Sequence, residues 1–237
     1  MSISVFDHPW LSGLFGDPEM AAILSPERQM SHMLGFEAAW SRACGKAGVF
    51  DAVKAQKAAS VIETAQIDFA DIAAGMGQDG VPIPRLVAQL KAIAPAEAVH
   101  KGATSQDVVD TAMVLTLREA SFLIAARLME LETHLKALED RFGDAPLMGR
   151  TRMQAATEIT VRDRVLAWRL PIADHLKTLD QKRADVEKVQ IGGASGDRKA
   201  LGDKADEIVA EVAKTLDLAP ADKSWQTMRH GIAAYAS

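Results

Sequence analysis

The 237-residue sequence is short of several things: it has one cysteine (Cys44), one tyrosine and only 5% aromatic residues. A lone cysteine excludes a disulfide framework and a cysteine-ligated zinc site, so a reducing compartment is expected. The six histidines are scattered, without an H-E-x-x-H string or paired Cys/His spacing, and no metal is expected. Positive charge is not concentrated anywhere. The net charge is -5 and no polybasic run occurs, which argues against nucleic acid as a partner. No apolar run approaches the roughly 20 residues of a spanning helix, so no membrane association is expected. Near the start, Asp7 and His8 stand where a secretory signal would carry a basic region followed by an apolar one, and the cytoplasm is the expected location. Internal repeats and low-complexity segments are absent as well.

What is present is an ordinary globular balance, 48% hydrophobic and 25% charged, carried almost entirely by helical periodicity. Residues 1–24, broken by Pro9 and Pro18, read as an irregular arm. A helix is predicted from Ser25-Pro26-Glu27 to about Gly45, with serine as cap and proline in the first helical position. One or two shorter helices are predicted over 52–77. Gly75, Gly77, Gly80, Pro82 and Pro84 then form a turn region ahead of a short helix over 84–93. From Asp107 to about Phe142 there is neither proline nor glycine. Val114, Leu128 and Leu135 fall on one heptad seam, interrupted by Ser121, and Leu117, Ile124, Leu131 and Leu138 on the other. Such a helix would be about 50 Å long. After a break at Gly143, Pro146 and Gly149, a second long helix is predicted from about Thr157 to Gln190, bent at Pro171, and a third over 198–216. No strand pattern is sustained. The expected fold class is all-α: an elongated bundle of long helices over 101–237 with a smaller, short-helix N-terminal part over 1–100. Its alanine-rich flanks suggest burial against other subunits.

The chemistry gathers at the entrance of the first long helix, where His100-Lys-Gly-Ala-Thr-Ser-Gln-Asp-Val-Val-Asp-Thr111 sets a histidine, a lysine and three hydroxyls beside a helix N-terminus. Gly102 permits a tight turn, Thr104 and Ser105 are good caps, and Asp107 suits the positive end of the helix dipole. Free N–H groups next to hydroxyls bind carboxylate or phosphate without a metal, though an ordinary capped helix start needs only one such hydroxyl. Two further segments qualify. Gly149-Arg150-Thr151-Arg152-Met153-Gln154 reads as a basic loop ahead of the second long helix, and Gln190-Ile-Gly-Gly-Ala-Ser-Gly196 as a glycine-rich helix break. The latter is no nucleotide cradle, because it lacks the lysine and Ser/Thr of a phosphate loop and no strand precedes it.

The string G-A-T-S-Q-D-V-V-D-T, with His100 two residues before its glycine, resembles the first signature of the fumarase/aspartase superfamily, and within it the 3-carboxy-cis,cis-muconate cycloisomerases, or lactonizing enzymes. Further matches follow in family order: S-G-L-F-G-D-P-E-M at 12–20, L-S-P-E-R-Q-M at 24–30, D-G-V-P-I-P at 79–84, G-R-T at 149–151 and Q-I-G-G-A-S-G at 190–196. The resemblance implies an intramolecular lyase without a cofactor, acting on a small polycarboxylate in protocatechuate (β-ketoadipate) catabolism, and a homotetramer with shared active sites. It implies a catalytic set of His100, Ser105 and Lys101. Thr104, Arg150, Thr151, Gln154, Gln190 and Arg229 would bind substrate, the last within a Trp225-Gln-Thr-Met-Arg229 segment typical of the family.

Departures are visible too. The lyase branch usually has histidine after the G-R-T threonine, where this chain has Arg152, which weighs against adenylosuccinate or argininosuccinate lyase activity and leaves the proton donor open. Asp197 stands where threonine is usual and brings a negative charge towards a polyanion site. The family's third signature, a Gly-Ser-Ser-x-Met-Pro-x-Lys-x-Asn loop with a catalytic serine, and the helical domain after it are not within the 237 residues. A fragment and a naturally short relative both fit that observation. A catalytically silent helical assembly protein is the reading from a different class.

Overall fold

A computed structural model describes residues 4–237, and among these it contains ten α-helices, two 3₁₀ turns and one β-hairpin. Within the expected irregular arm, Ser12–Phe15 (α1) and Pro18–Ile23 (α2) are short helices; residues 1–3 of that arm lie outside the described part. Next come α3 (Pro26–Lys46), α4 (Ala52–Ile62), α5 (Phe69–Asp79) and α6 (Ile83–Ile93). Short acceptor side chains start four of these helices by satisfying N–H groups that lack a partner in the helix. Asp17 accepts from Met20, Ser25 from Arg28, Asp51 from Lys54, and Asp68 from both Ala70 and Asp71. α5 runs through Gly75 and Gly77, which the sequence assigned to a turn region. A Cβ at Gly75 would lie 2.5 Å from Arg85 Cγ, so that side chain packs over the glycine; the helix ends only at Gly80, where φ is 69°.

The chain divides into two compact units, one formed by residues up to Arg118 with Val186–Ser237, the other by Glu119–Asp185. The first is organised on α3. Phe36, Ala39, Trp40, Ala43 and Cys44 are buried there against Ala55, Ala58, Ala59 and Ile62 of α4 and Ile208, Val209 and Val212 of α9 (Ala205–Leu216). Small alanines let the helix axes approach, and the larger aliphatics fill the space between them. Burial pushes the Cys44 thiol up to about 12, so it packs as a small hydrophobe and is no nucleophile.

The second unit holds most of α7 (Ser105–Phe142), the strands β1 (Pro146–Thr151) and β2 (Gln154–Thr160), and most of α8 (Val161–Val186). Two expectations are corrected here, and a third in the first unit. The basic loop is a two-stranded antiparallel hairpin, Leu147 facing Ile159 and Thr151 facing Gln154, with an irregularity between Met148 and Arg150. Its two-residue turn, Arg152-Met153, has φ of 41° and 65°, a conformation usually signalled by Asn-Gly, and neither strand alternates apolar with polar. The second long helix therefore starts at Val161, where Thr160 and Asp163 cap each other's N–H, and stops at Val186, because residues 187–190 are extended and Lys188 bridges Ala219. The third pattern begins as a 3₁₀ turn at Lys199–Lys204, broken at Gly202 (φ 56°), so that α9 starts only at Ala205.

Within this unit α7 and α8 run antiparallel: the Arg183 guanidinium lies 4.1 Å over the Phe122 ring, Arg169 pairs with Glu132 and Glu139, and Arg162 pairs with Glu139 and Asp144. Of the two heptad seams on α7, one is covered and one is open. Val114, Ser121 and Leu135 are buried, whereas Ile124, Leu131 and Leu138 remain 40–45% exposed.

The all-α class expected from periodicity therefore holds, with the hairpin as its addition. Leu90 on α6 is completely buried in the first unit's core, and Leu90→Ala is expected to lower the unfolding free energy by about 2–5 kcal/mol. Urea titration followed by circular dichroism checks it.

Candidate active site

The segment between the 3₁₀ turn Ala96–Ala98 and α7 is gripped by α3. Ser41 Oγ donates to the Ala98 carbonyl at 2.7 Å and Trp40 Nε1 to the Lys101 carbonyl at 3.2 Å. Between these clamps His100 adopts a positive φ of 58°, uncommon for a residue with a Cβ, and its Nδ1 lies 2.5 Å from Oε1 of the buried Glu37.

Asp107, three residues into α7, is wholly buried and collects four N–H donors. They are Thr104 N (3.0 Å), Gly192 N (2.8 Å), Gly193 N (3.1 Å) and Gln190 Nε2 (3.2 Å). Burial pushes its carboxyl above the usual range, and those hydrogen bonds oppose the shift. They also tie the glycine-rich segment to the start of α7. Thr111 reinforces the tie, its Oγ1 accepting from Gln190 N at 3.1 Å and donating to Gln190 O at 3.2 Å. Arg198 holds the far side of the segment through the carbonyls of Ile191, Ala221 and Asp222. Gly192 leaves no room for a side chain, since a Cβ would fall 2.3 Å from Ser224 Oγ.

The nominated residues divide by place. His100, Lys101, Thr104 and Ser105 sit together at the entrance of α7; Thr104 and Ser105 are half-buried, Lys101 is exposed, and neither hydroxyl has a side-chain hydrogen bond among the described residues. Gln190 was expected to face the substrate. It is completely buried instead, and its amide is engaged by Asp107, Ser224 Oγ (2.7 Å) and Trp225 N (2.8 Å). Arg229 pairs at 2.6 Å with the buried Asp110 and lies over the Trp225 ring. Arg150, Thr151 and Gln154 belong to the second unit, exposed at the closed end of the hairpin. Asp197 turns to Lys199, whose backbone N–H and ammonium hold its carboxyl below the usual range, so its charge is locally compensated. Among the described residues no cluster of three or more His, Cys, Asp or Glu is placed to hold a metal, and no helix is long and apolar enough to cross a membrane.

Sequence reasoning missed Glu37 altogether and gave Asp107 too small a part. The one available signal for Glu37 was an acid set inside the apolar run Phe36-Glu37-Ala38-Ala39-Trp40. For Asp107 there was none beyond the helix start.

Comparison with known proteins adds what geometry alone leaves open. A family model described as lyase matches residues 16–236. The 3-carboxy-cis,cis-muconate cycloisomerase of Pseudomonas aeruginosa is 34% identical over 92% of this chain and 49% of its own length. The N-acetyl-S-(2-succino)cysteine lyase of Enterococcus italicus is 30% identical over 100% of this chain and 52% of its own. The crystal structure of the 3-carboxy-cis,cis-muconate lactonizing enzyme from Pseudomonas putida superposes with a TM-score of 0.88 at 32% identity, covering 97% of this chain and 53% of that one. The chain thus spans about half the length of the relatives it matches.

Replacing Asp107 with alanine strands the backbone N–H groups of Thr104, Gly192 and Gly193 inside the unit. Asp107→Ala is expected to cost at least about 3 kcal/mol of stability and to open the 190–198 segment to proteolysis. Urea unfolding and limited trypsin digestion with peptide mapping read both, and a loss below about 1 kcal/mol would contradict this account of the hub.

Proposed function

The chain belongs to the lyase family of the fumarase/aspartase superfamily, and on that premise we propose that it is part of a cycloisomerase converting 3-carboxy-cis,cis-muconate to 4-carboxymuconolactone in cytoplasmic protocatechuate catabolism. The observation that carries this reading is the pair of unengaged hydroxyls, Thr104 and Ser105, next to His100 at a helix N-terminus, in a chain similar to muconate cycloisomerases.

The chemistry explains the residue types. One substrate carboxylate adds to a carbon–carbon double bond conjugated with a second carboxylate, where negative charge builds up as an enediolate. Preorganised donors on that group lower the barrier, a single important one by about 3–4 kcal/mol. A positioned acid then protonates the adjacent carbon. Thr104, Ser105 and the N-terminus of α7 act as the donors, and Arg150, Thr151 and Gln154 act as anion partners within the shared sites of the assembly. His100 delivers the proton and Lys101 assists it. Gln190 and Arg229, engaged with Asp107 and Asp110, shape the wall. The conjugated carboxylate is its own electron sink, so the step asks for no cofactor.

The same proposal divides the chain into an N-terminal part over 1–100 and a long-helix part over 101–237. The open seam of Ile124, Leu131 and Leu138 is buried in a homotetramer with shared sites. The similarity to a succinocysteine lyase favours, as a second reading, elimination of fumarate from an amino-acid adduct.

Two measurements test this. A spectrophotometric assay is expected to show turnover of 3-carboxy-cis,cis-muconate and none of N-acetyl-S-(2-succino)cysteine, with Thr104→Val and Arg150→Gln each lowering kcat/KM by about 10²–10³-fold at unchanged folding. The reverse substrate preference would establish the lyase reading, and variants that lose nothing would leave a scaffold. Analytical ultracentrifugation is expected to give a tetramer, and a well-folded monomer would refute the assembly.

A further inference from the structure

We infer that Glu37, in the middle of α3, is the positioning residue of the site, holding His100 by Nδ1 so that Nε2 is the ring atom presented for proton transfer.

Glu37 is fully buried. Its Oε1 lies 2.5 Å from His100 Nδ1, and its Oε2 has no hydrogen-bond partner. Glu37 lies in the buried run Phe36-Glu37-Ala38-Ala39-Trp40, and the ion pair it makes is with His100. The orientation of the ring is over-determined. Ser41 and Trp40, within one turn of Glu37 on the same helix, fix the backbone on both sides of His100, whose left-handed φ of 58° would otherwise relax. The one side chain of the site that α3 holds by its own polar atoms is thus His100. The His100 side chain stays 15% exposed, four residues before the free hydroxyl of Thr104, and with Nδ1 turned to Glu37 the ring nitrogen left for the site is Nε2. In the cyclisation, the imidazolium gives its Nε2 proton to the carbon that carries the enediolate charge, becomes neutral, and regains a proton from water. The Nδ1 proton remains on the Glu37 side throughout, so no net proton reaches the buried carboxylate.

What His100 does rests on the cycloisomerase reading; the pairing itself does not. The purified protein, its Glu37→Gln, Glu37→Asp and His100→Asn forms, and the Glu37→Gln/His100→Asn double variant are compared for kcat and KM with 3-carboxy-cis,cis-muconate. Glu37→Gln is expected to lower kcat by about 10²-fold with KM little changed, Glu37→Asp to recover part of that loss, and Glu37→Gln to add nothing once His100 is asparagine. Losses that multiply in the double variant, or an unchanged kcat in Glu37→Gln, would overturn the assignment. A second arm needs no turnover. In ¹⁵N-histidine-labelled wild-type protein, the His100 resonances, identified by their disappearance in His100→Asn, are expected to show a protonated Nδ1, and a bare Nδ1 would overturn the pairing. Absence of turnover by the wild type together with a protonated Nδ1 would refute the cycloisomerase reading and leave the pair standing.

Discussion

The carboxylate of Asp107 occupies the point where the first turn of α7 meets the extended Gln190–Gly193 segment, and it accepts hydrogen bonds from both. Without it, the backbone N–H groups of Thr104, Gly192 and Gly193 would lose their acceptor, the Gln190 amide would keep only Ser224 Oγ, and the segment would lose its main tie to α7. Gln190, Thr111, Ser224 and Trp225 extend the arrangement outward, each satisfying another's polar atom in the interior. Because every member is engaged, the network gives the segment one arrangement, and the hydroxyls of Thr104 and Ser105 are left over.

α3 is the second constraint. Its apolar stripe makes the core of the first unit, and one buried turn carries Glu37, Trp40 and Ser41, all aimed at residues 98–101. Stability and site geometry are therefore built from the same helix. The strained backbone at His100 persists because neighbouring contacts on both sides hold it.

The second unit shows how a long amphipathic helix distributes its two seams. Ion pairs and an arginine–aromatic contact lock α7 to α8 within the unit, and Glu139 is buried between Arg162 and Arg169. The other seam keeps Ile124, Leu131 and Leu138 largely open, more aliphatic surface along one line than a solvated helix usually shows.

Local signals carried much of this into the sequence. Ser25-Pro26-Glu27 announced α3, and the hydroxyl-rich run after His100 with the proline- and glycine-free stretch beyond it announced α7, since caps, breakers and heptads act over a few residues and can be read a few residues at a time. The hairpin escaped because its turn, Arg152-Met153, uses residues that do not ordinarily favour positive φ, and because exposed strands leave no alternation to see. Sequence alone thus determined the helical class, the family signatures and the chemical character of the α7 entrance. Only the tertiary structure decided that Glu37, 63 positions before His100, pairs with it, and that Asp107, 85 positions before Gly192, holds the opposite wall. A buried carboxylate finds its partner through space, and separation along the chain carries no record of who that partner is.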